Sequence, residues 1–181
     1  AEVIWRPPEF ARDESPDIDW VSQALSAPQT GLAHAFALVR PTSPFRRGAW
    51  IRAAWSLFLA QQPADSLRAV RPVTEPPAKM LRPTAARHLK PLLDVPARDW
   101  RQGGAPAHSS PSQLLGEVLV QTAALEIAWA GNVLYDRTIS GSRIIGYPCA
   151  PEDPEALDIN TEADWDRAEQ LAAAHPEYLP R

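Results

Sequence analysis

The sequence predicts an α/β fold, and three observations carry that reading. First, His34–Val39 is a short apolar run that stops at Arg40-Pro41, where proline removes a backbone donor and keeps the residue before it out of the helical region. Second, Thr42, Ser43 and Pro44 supply turn chemistry, and a helix follows with Ile51, Ala54, Trp55 and Phe58 on one face. Third, Leu157–Asn160 reads as a short strand leading directly into a capped helix. A strand, a polar loop and a helix in that order build open α/β sheets, whose ligands sit beyond the carboxyl ends of the strands. Arg40 and the Thr42-Ser43 pair fall at such an end.

The remaining elements follow from local chemistry. Glu2–Trp5 reads as a short strand closed by Arg6-Pro7-Pro8. Ser15 is a good N-cap, Pro16 suits the first helical position, and Asp17 and Asp19 favour the positive start of a helix. Ile18, Val21 and Leu25 give that helix one apolar face, and Ala27-Pro28 ends it. After the Trp50–Leu59 helix, Asp65–Val73 alternates apolar with polar residues, the pattern of a strand with one polar face near a sheet edge. Residues 76–111 form a long proline-rich excursion carrying Lys79, Arg82, Arg87, His88, Lys90 and Arg98. This is either a solvated loop or a basic arm able to meet a phosphate or carboxylate. Gln113–Trp129 reads as two strand segments broken at Thr122–Ala124, Asn132–Asp136 as a short helix, and Arg143–Tyr147 as a strand. Thr161-Glu162-Ala163-Asp164 is a capping box, and Trp165, Ala168, Leu171 and Ala172 form the buried face of the last helix.

Composition narrows the function classes. The 181 residues suit one domain with a real core. A net charge of −4 argues against non-specific nucleic-acid binding. Cys149 stands alone, so it forms no internal disulfide and suits a reducing compartment. No run approaches the roughly 20 apolar residues of a membrane helix, and no secretory pattern opens the chain. The expectation is a cytoplasmic protein that binds neither membrane nor nucleic acid. Proline occurs 20 times, well above the roughly 5 % that is usual, so the loops are stiff. Ala1–Trp5 reads as a strand already in progress without an initiating Met, which is the expectation for a fragment.

Few residues offer chemistry. His34, His88, His108 and His175 are scattered, and there is no metal-spaced Cys or His cluster, no GxSxG motif and no Walker loop. Asp158 sits where a strand meets a helix, and a carboxylate there either caps the helix or ligates Mg²⁺, which prefers oxygen donors. Asn160, two residues on, shares its face on an extended chain. Asp164 reads as the cap partner instead.

Leu38-Val39-Arg40-Pro41-Thr42-Ser43-Pro44 and Asp158-Ile159-Asn160-Thr161-Glu162-Ala163-Asp164-Trp165, completed by Ala168-Glu169, resemble two motifs of the acylneuraminate cytidylyltransferases, the CMP-sialic acid synthetases and their relatives. Asp65–Val70, Pro111–Gln113 and Val120–Ile127 follow the family's order between them. The resemblance implies a Rossmann-like three-layer α/β sandwich of the nucleotide-diphospho-sugar transferase type, with a mostly parallel mixed sheet. It implies transfer of a cytidylyl group from CTP to the anomeric hydroxyl of an acidic sugar, with release of pyrophosphate and dependence on Mg²⁺. By the same carry-over Asp158 and Asn160 would hold the metal. Arg40, at the position read as catalytic, would meet substrate together with Thr42, Ser43 and Gln113. Arg40 can pair bidentately with a sugar carboxylate. Members of the family tend to dimerise, so a homodimer is the expected assembly.

The departures from the family pattern set the alternative. The family opens with a glycine- and basic-rich loop that cradles the triphosphate, and no counterpart stands here. On this reading the first βα unit is missing, a sheet edge is left open, and the chain alone catalyses poorly or not at all. Ser112 stands where the family usually has Arg, Thr122 where it often has Asn, and Asn160 is a weaker ligand than Asp. The alternative is a truncated or non-catalytic homologue serving as a sugar-, nucleotide- or partner-binding module. A third reading is a nucleotidyltransferase acting on another sugar.

Overall fold

The structure is a computed structural model that describes residues 2–93, 106–150 and 153–179. The backbone divides into two compact units, Ala1–Val70 with Gln121–Arg181, and Arg71–Val120. No helix among the described residues is long and apolar enough to cross a membrane.

The first unit is α/β. Its strands are β1 (Ala35–Leu38), β2 (Ser66–Pro72), β5 (Leu119–Trp129) and β6 (Ile144–Pro148), in the spatial order β1-β5-β2-β6; the far ends of β2 and β5 run on into the second unit. Its helices are α1 (Asp17–Ser26), α2 (Gly48–Ala60), α3 (Ala130–Leu134) and α4 (Glu162–Ala174). β1 pairs antiparallel with β5, Leu38 standing opposite Glu126, whereas β2 pairs parallel with β6. Thr122 Oγ1 donates to Ala69 O while Trp129 N donates to Asp65 O, so β5 also runs against β2. The sheet is therefore mixed and mostly antiparallel, which corrects the expected mostly parallel sheet. Strand direction is set by long-range pairing, and the local pattern of a strand does not encode it.

Alternation along the strands assigns the two faces. Leu67 and Ala69 of β2 and Leu125 and Ile127 of β5 pack against Ala54 and Phe58 of α2, with Cys149 in the same cluster. Trp129 packs its ring on Phe58, 4.9 Å between centroids, and donates from Nε1 to Ala64 O at 2.9 Å. On the opposite face Val21 and Leu25 of α1 meet Leu38, Ala130 and Val133. Helices thus cover both sides of the sheet. Trp55 and Leu59 of α2 remain 36 % and 45 % exposed, at the rim of an apolar groove of ≈ 550 Å³ beside the edge strand β1.

β2 is not an edge strand. It lies between β5 and β6, and Ser66 through Val70 are all buried. Its polar residues are paired internally, which is why alternation misreads its place: Ser66 Oγ donates to Ser140 O at 2.6 Å, and Arg68 ion-pairs with Glu126. Asp65 draws in the turn before β6, accepting from Ser142 N and Arg143 N at 2.9 and 2.8 Å. Gly141 is required in that turn, since it holds φ +65° and a Cβ there would lie 2.4 Å from Asp65 Cβ.

Other expectations need amendment. Glu2–Trp5 forms no strand; Val3 and Trp5 are 68 % and 85 % exposed and find no ladder partner among the described residues. α1 starts one residue late, with Pro16 as N-cap, because Ser15 turns its hydroxyl to Glu9 O. β5 is continuous through Thr122–Ala124. Leu157–Asn160 is extended without joining the sheet, and Ile159 N donates to Thr42 O at 2.8 Å. The capping box of α4 is present, with Thr161 Oγ1 accepting from Asp164 N and Asp164 Oδ2 accepting from Thr161 N. Ala168 is buried under that helix but Trp165 is 53 % exposed.

The second unit holds a small antiparallel hairpin, β3 (Leu81–Pro83) with β4 (Leu89–Pro91). Thr84 closes it by donating from N to His88 O at 2.8 Å, and Arg87 takes the left-handed conformation, φ 63°, that the turn needs. Lys79, Arg82, Arg87, His88 and Lys90 are all solvent-exposed. Residues 94–105 of the excursion, including Arg98, lie outside the described residues.

Candidate functional site

At the carboxyl end of β1 the chain turns at Pro41 and runs through Thr42 and Ser43 towards α2. Three anchors bring the distant Asp158 segment onto this loop. Ile159 N bonds to Thr42 O, and Phe45 is buried against Leu157 and Ala168. Glu155, itself 5 % exposed, accepts from Arg47 Nε at 2.9 Å and from Arg47 N at 3.3 Å. That carboxylate meets the positive start of α2, where an anion is favoured.

The result is a cleft of ≈ 530 Å³ lined by Arg40, Thr42, Asp158 and Asn160 and also by Asp17, Arg68, Glu126 and Gln121–Ala123. Four of the residues expected to carry the site therefore share one cavity. Ser43 does not line it: the residue is 2 % exposed, and its hydroxyl has no hydrogen-bond partner among the described residues. Gln113 belongs to the second unit, where it is exposed in the turn Ser112–Leu114.

The charges of the cleft are chained. Asp17 pairs with Arg40, Arg40 Nη2 reaches Glu126 Oε1 at 3.3 Å, Glu126 Oε2 pairs with Arg68, and Arg68 Nη2 donates to Ser140 Oγ at 2.5 Å. Burial pushes the Asp17 carboxyl up, but the bonds from Arg40 and from Trp20 Nε1 outweigh it and leave its pKa below the usual range. The same bond from Asp17 raises the pKa of Arg40 against its partial burial. The Arg40 fork already holds a carboxylate of this chain.

Arg46 sets the loop. Its Nη1 donates to Ala124 O at 2.8 Å and its Nη2 to Arg40 O, which ties the end of β1 to β5. Burial lowers its pKa, an effect that the charge of Asp158 opposes. Asp158 Oδ2 accepts from Asn160 Nδ2 at 2.9 Å, whereas Asp158 Oδ1 is buried without a hydrogen-bond partner among the described residues. A buried hard oxygen with unused lone pairs fits Mg²⁺, which takes one or two protein carboxylates and fills its shell with water and phosphate. The described residues hold no group of three or more His, Cys, Asp or Glu placed to bind a metal by themselves.

Asp17, Arg68, Glu126, Gln121 and Thr122 were not among the expected site residues. Glu126 carried a local signal, since a charged residue inside the apolar run Ala123–Trp129 demands a buried partner, whereas Arg68 sits in an alternating pattern and carried none. Asp17 carried none beyond its helix-start position. Cys149 lies outside the cleft, and burial pushes its thiol up to about 11, which holds it protonated. No protein-family model matches the chain.

Proposed function

We propose that the first unit is a cytidylyltransferase-like domain that binds an acidic, sialic-acid-like sugar in the Arg40–Asp158 cleft, beside Mg²⁺·CTP. The observation that carries this reading is the convergence of the Arg40-Pro41-Thr42 loop and the Asp158–Asn160 segment on one cavity, although they lie far apart in the chain. A Rossmann-like sandwich of the nucleotide-diphospho-sugar transferase type belongs to the same proposal, supported by the helices on both faces of the sheet. Asp158, with the carboxamide of Asn160, would hold the metal, and the metal would neutralise phosphate charge. Arg40 orients the sugar carboxylate, and the Thr42 and Thr122 hydroxyls offer hydrogen bonds to sugar hydroxyls.

A second reading has an observation of its own. Two guanidiniums line the cleft, Arg40 and Arg68, and both are engaged by carboxylates; Asp158 adds a further negative charge. Such a cleft suits one carboxylate better than a triphosphate. This favours a sugar-binding module of the same ancestry that does not turn over.

Pyrophosphate release from CTP and Mg²⁺, measured with a panel of nonulosonic acids beside calorimetric binding of each acid, separates these readings. Release that is lost in Asp158→Ala supports the transferase. Binding that is lost in Arg40→Ala, without release, supports the module. Absence of Arg40-dependent acid binding overturns both.

A further inference from the structure

We infer that Asp17 is a specificity-determining residue of the cleft: its carboxylate occupies the Arg40 fork, and a ligand carboxylate enters by exchange with it. This rests on the reading of the cleft as a site for an acidic sugar.

Two carboxylates hold Arg40, and they are not equivalent. Glu126 is 6 % exposed, sits mid-strand in β5 and spends its other oxygen on Arg68. It cannot leave without stranding a buried guanidinium. Asp17 is at the first position of α1 with its side chain 36 % exposed. Both terminal nitrogens of Arg40 face it, Nη1 at 3.5 Å from Oδ1 and Nη2 closer to Oδ2. Asp17 has stabilising partners other than Arg40, since Trp20 Nε1 donates to its Oδ1 at 2.9 Å and it stands in the N-terminal turn of a ten-residue helix, which favours its charge. Glu126 is thus the fixed partner that orients the fork, and Asp17 the releasable one that fills it.

Exchange has a selective consequence. A bare anion trades one ion pair for an equivalent one and gains little. A sugar acid adds hydroxyl contacts to the Thr42 and Thr122 edge of the cleft and so displaces Asp17. The site therefore rejects small anions without excluding them sterically.

Isothermal titration of the full chain tests this with three probes: N-acetylneuraminate, its neutral methyl ester and acetate. Asp17→Asn, which keeps the side-chain shape, is expected to tighten N-acetylneuraminate on the order of fivefold. It should also make acetate binding measurable and leave the ester unchanged. Asp17→Ser, which likewise removes the charge at the first position of α1, should behave alike. A purely structural role for Asp17 would move acid and ester together. Unchanged or weaker acid binding in both variants, with Arg40→Ala still abolishing it, overturns the inference and leaves the acidic-sugar reading standing. Acid binding that is absent or Arg40-independent in the unaltered chain overturns both.

Discussion

The two faces of β2 and β5 are built from alternate residues of the same segments, yet they follow opposite physics. Towards α2 the strands present Leu67, Ala69, Leu125 and Ile127, and Phe58 is completely buried among them. Towards the cleft they present Arg68 and Glu126, and the only way to bury those is to pair them. The apolar face gains stability from burial and packing. The charged face is close to neutral in stability, because desolvation offsets most of the Coulomb attraction of a buried pair. What it supplies is a fixed carboxylate, Glu126, that aims Arg40. The α2 packing face and the charged cleft thus lie on opposite sides of one sheet.

The largest way to break this contrast is on the apolar side. Phe58→Ala removes a fully buried ring touching Trp55 and Trp129 and should cost about 4 kcal/mol in urea unfolding. Cys149, in the same cluster and unreactive while buried, should then label with a thiol reagent far faster at pH 8. Labelling that stays slow would mean that the apolar face does not act as one packed unit.

On the charged side, Glu126→Leu leaves Arg68 buried without its carboxylate and should cost about 3 kcal/mol. The double variant Arg68→Leu/Glu126→Leu should recover most of that loss, since a matched apolar pair replaces a matched ionic one. On the proposed acidic-sugar reading, the double variant should nonetheless lose acid binding, because Arg40 no longer has its fixed partner. Failure of the second change to restore stability would place the pair among net stabilising interactions.

The smallest effect concerns Asp17. Its folded pKa lies below the unfolded value, so its contribution is complete above the ordinary carboxylate pKa of about 3.9 and disappears as pH falls through the folded value. With both partners about a third exposed, the pair is worth under about 1 kcal/mol. Urea midpoints measured between pH 6 and 3 should therefore fall slightly less in Asp17→Asn than in the unaltered chain. An equal decline would mean that Arg40 does not depend on Asp17 in solution.

Much of the frame was legible in the residues. Val21 and Leu25 mark the buried side of α1, the Thr161–Asp164 capping box starts α4 where its pattern says it should, and β1 stops at Leu38, just short of the Arg40-Pro41 break. Arg40, Thr42, Asp158 and Asn160 were legible as candidates, and they do share a cleft. The failures arise where burial is decided by distant residues. Ser66-Leu67-Arg68 alternates like an edge strand because a paired polar residue and a solvated one look identical in a pattern. Trp165 fits a helical apolar face yet is 53 % exposed, since none of the described residues buries it.

By itself the sequence determined which residues start the last helix, which side of α1 is apolar, and which two loops carry polar chemistry. Those depend on hydrogen bonds and steric preferences within a few residues, and composition records them directly. Only the tertiary structure decided strand direction, the central place of β2 and the partners of Arg40. Glu126 lies 86 residues from Arg40 and Asp17 lies 23 before it. An ion pair between such positions exists only once the sheet has set β1 beside β5 and laid α1 across them.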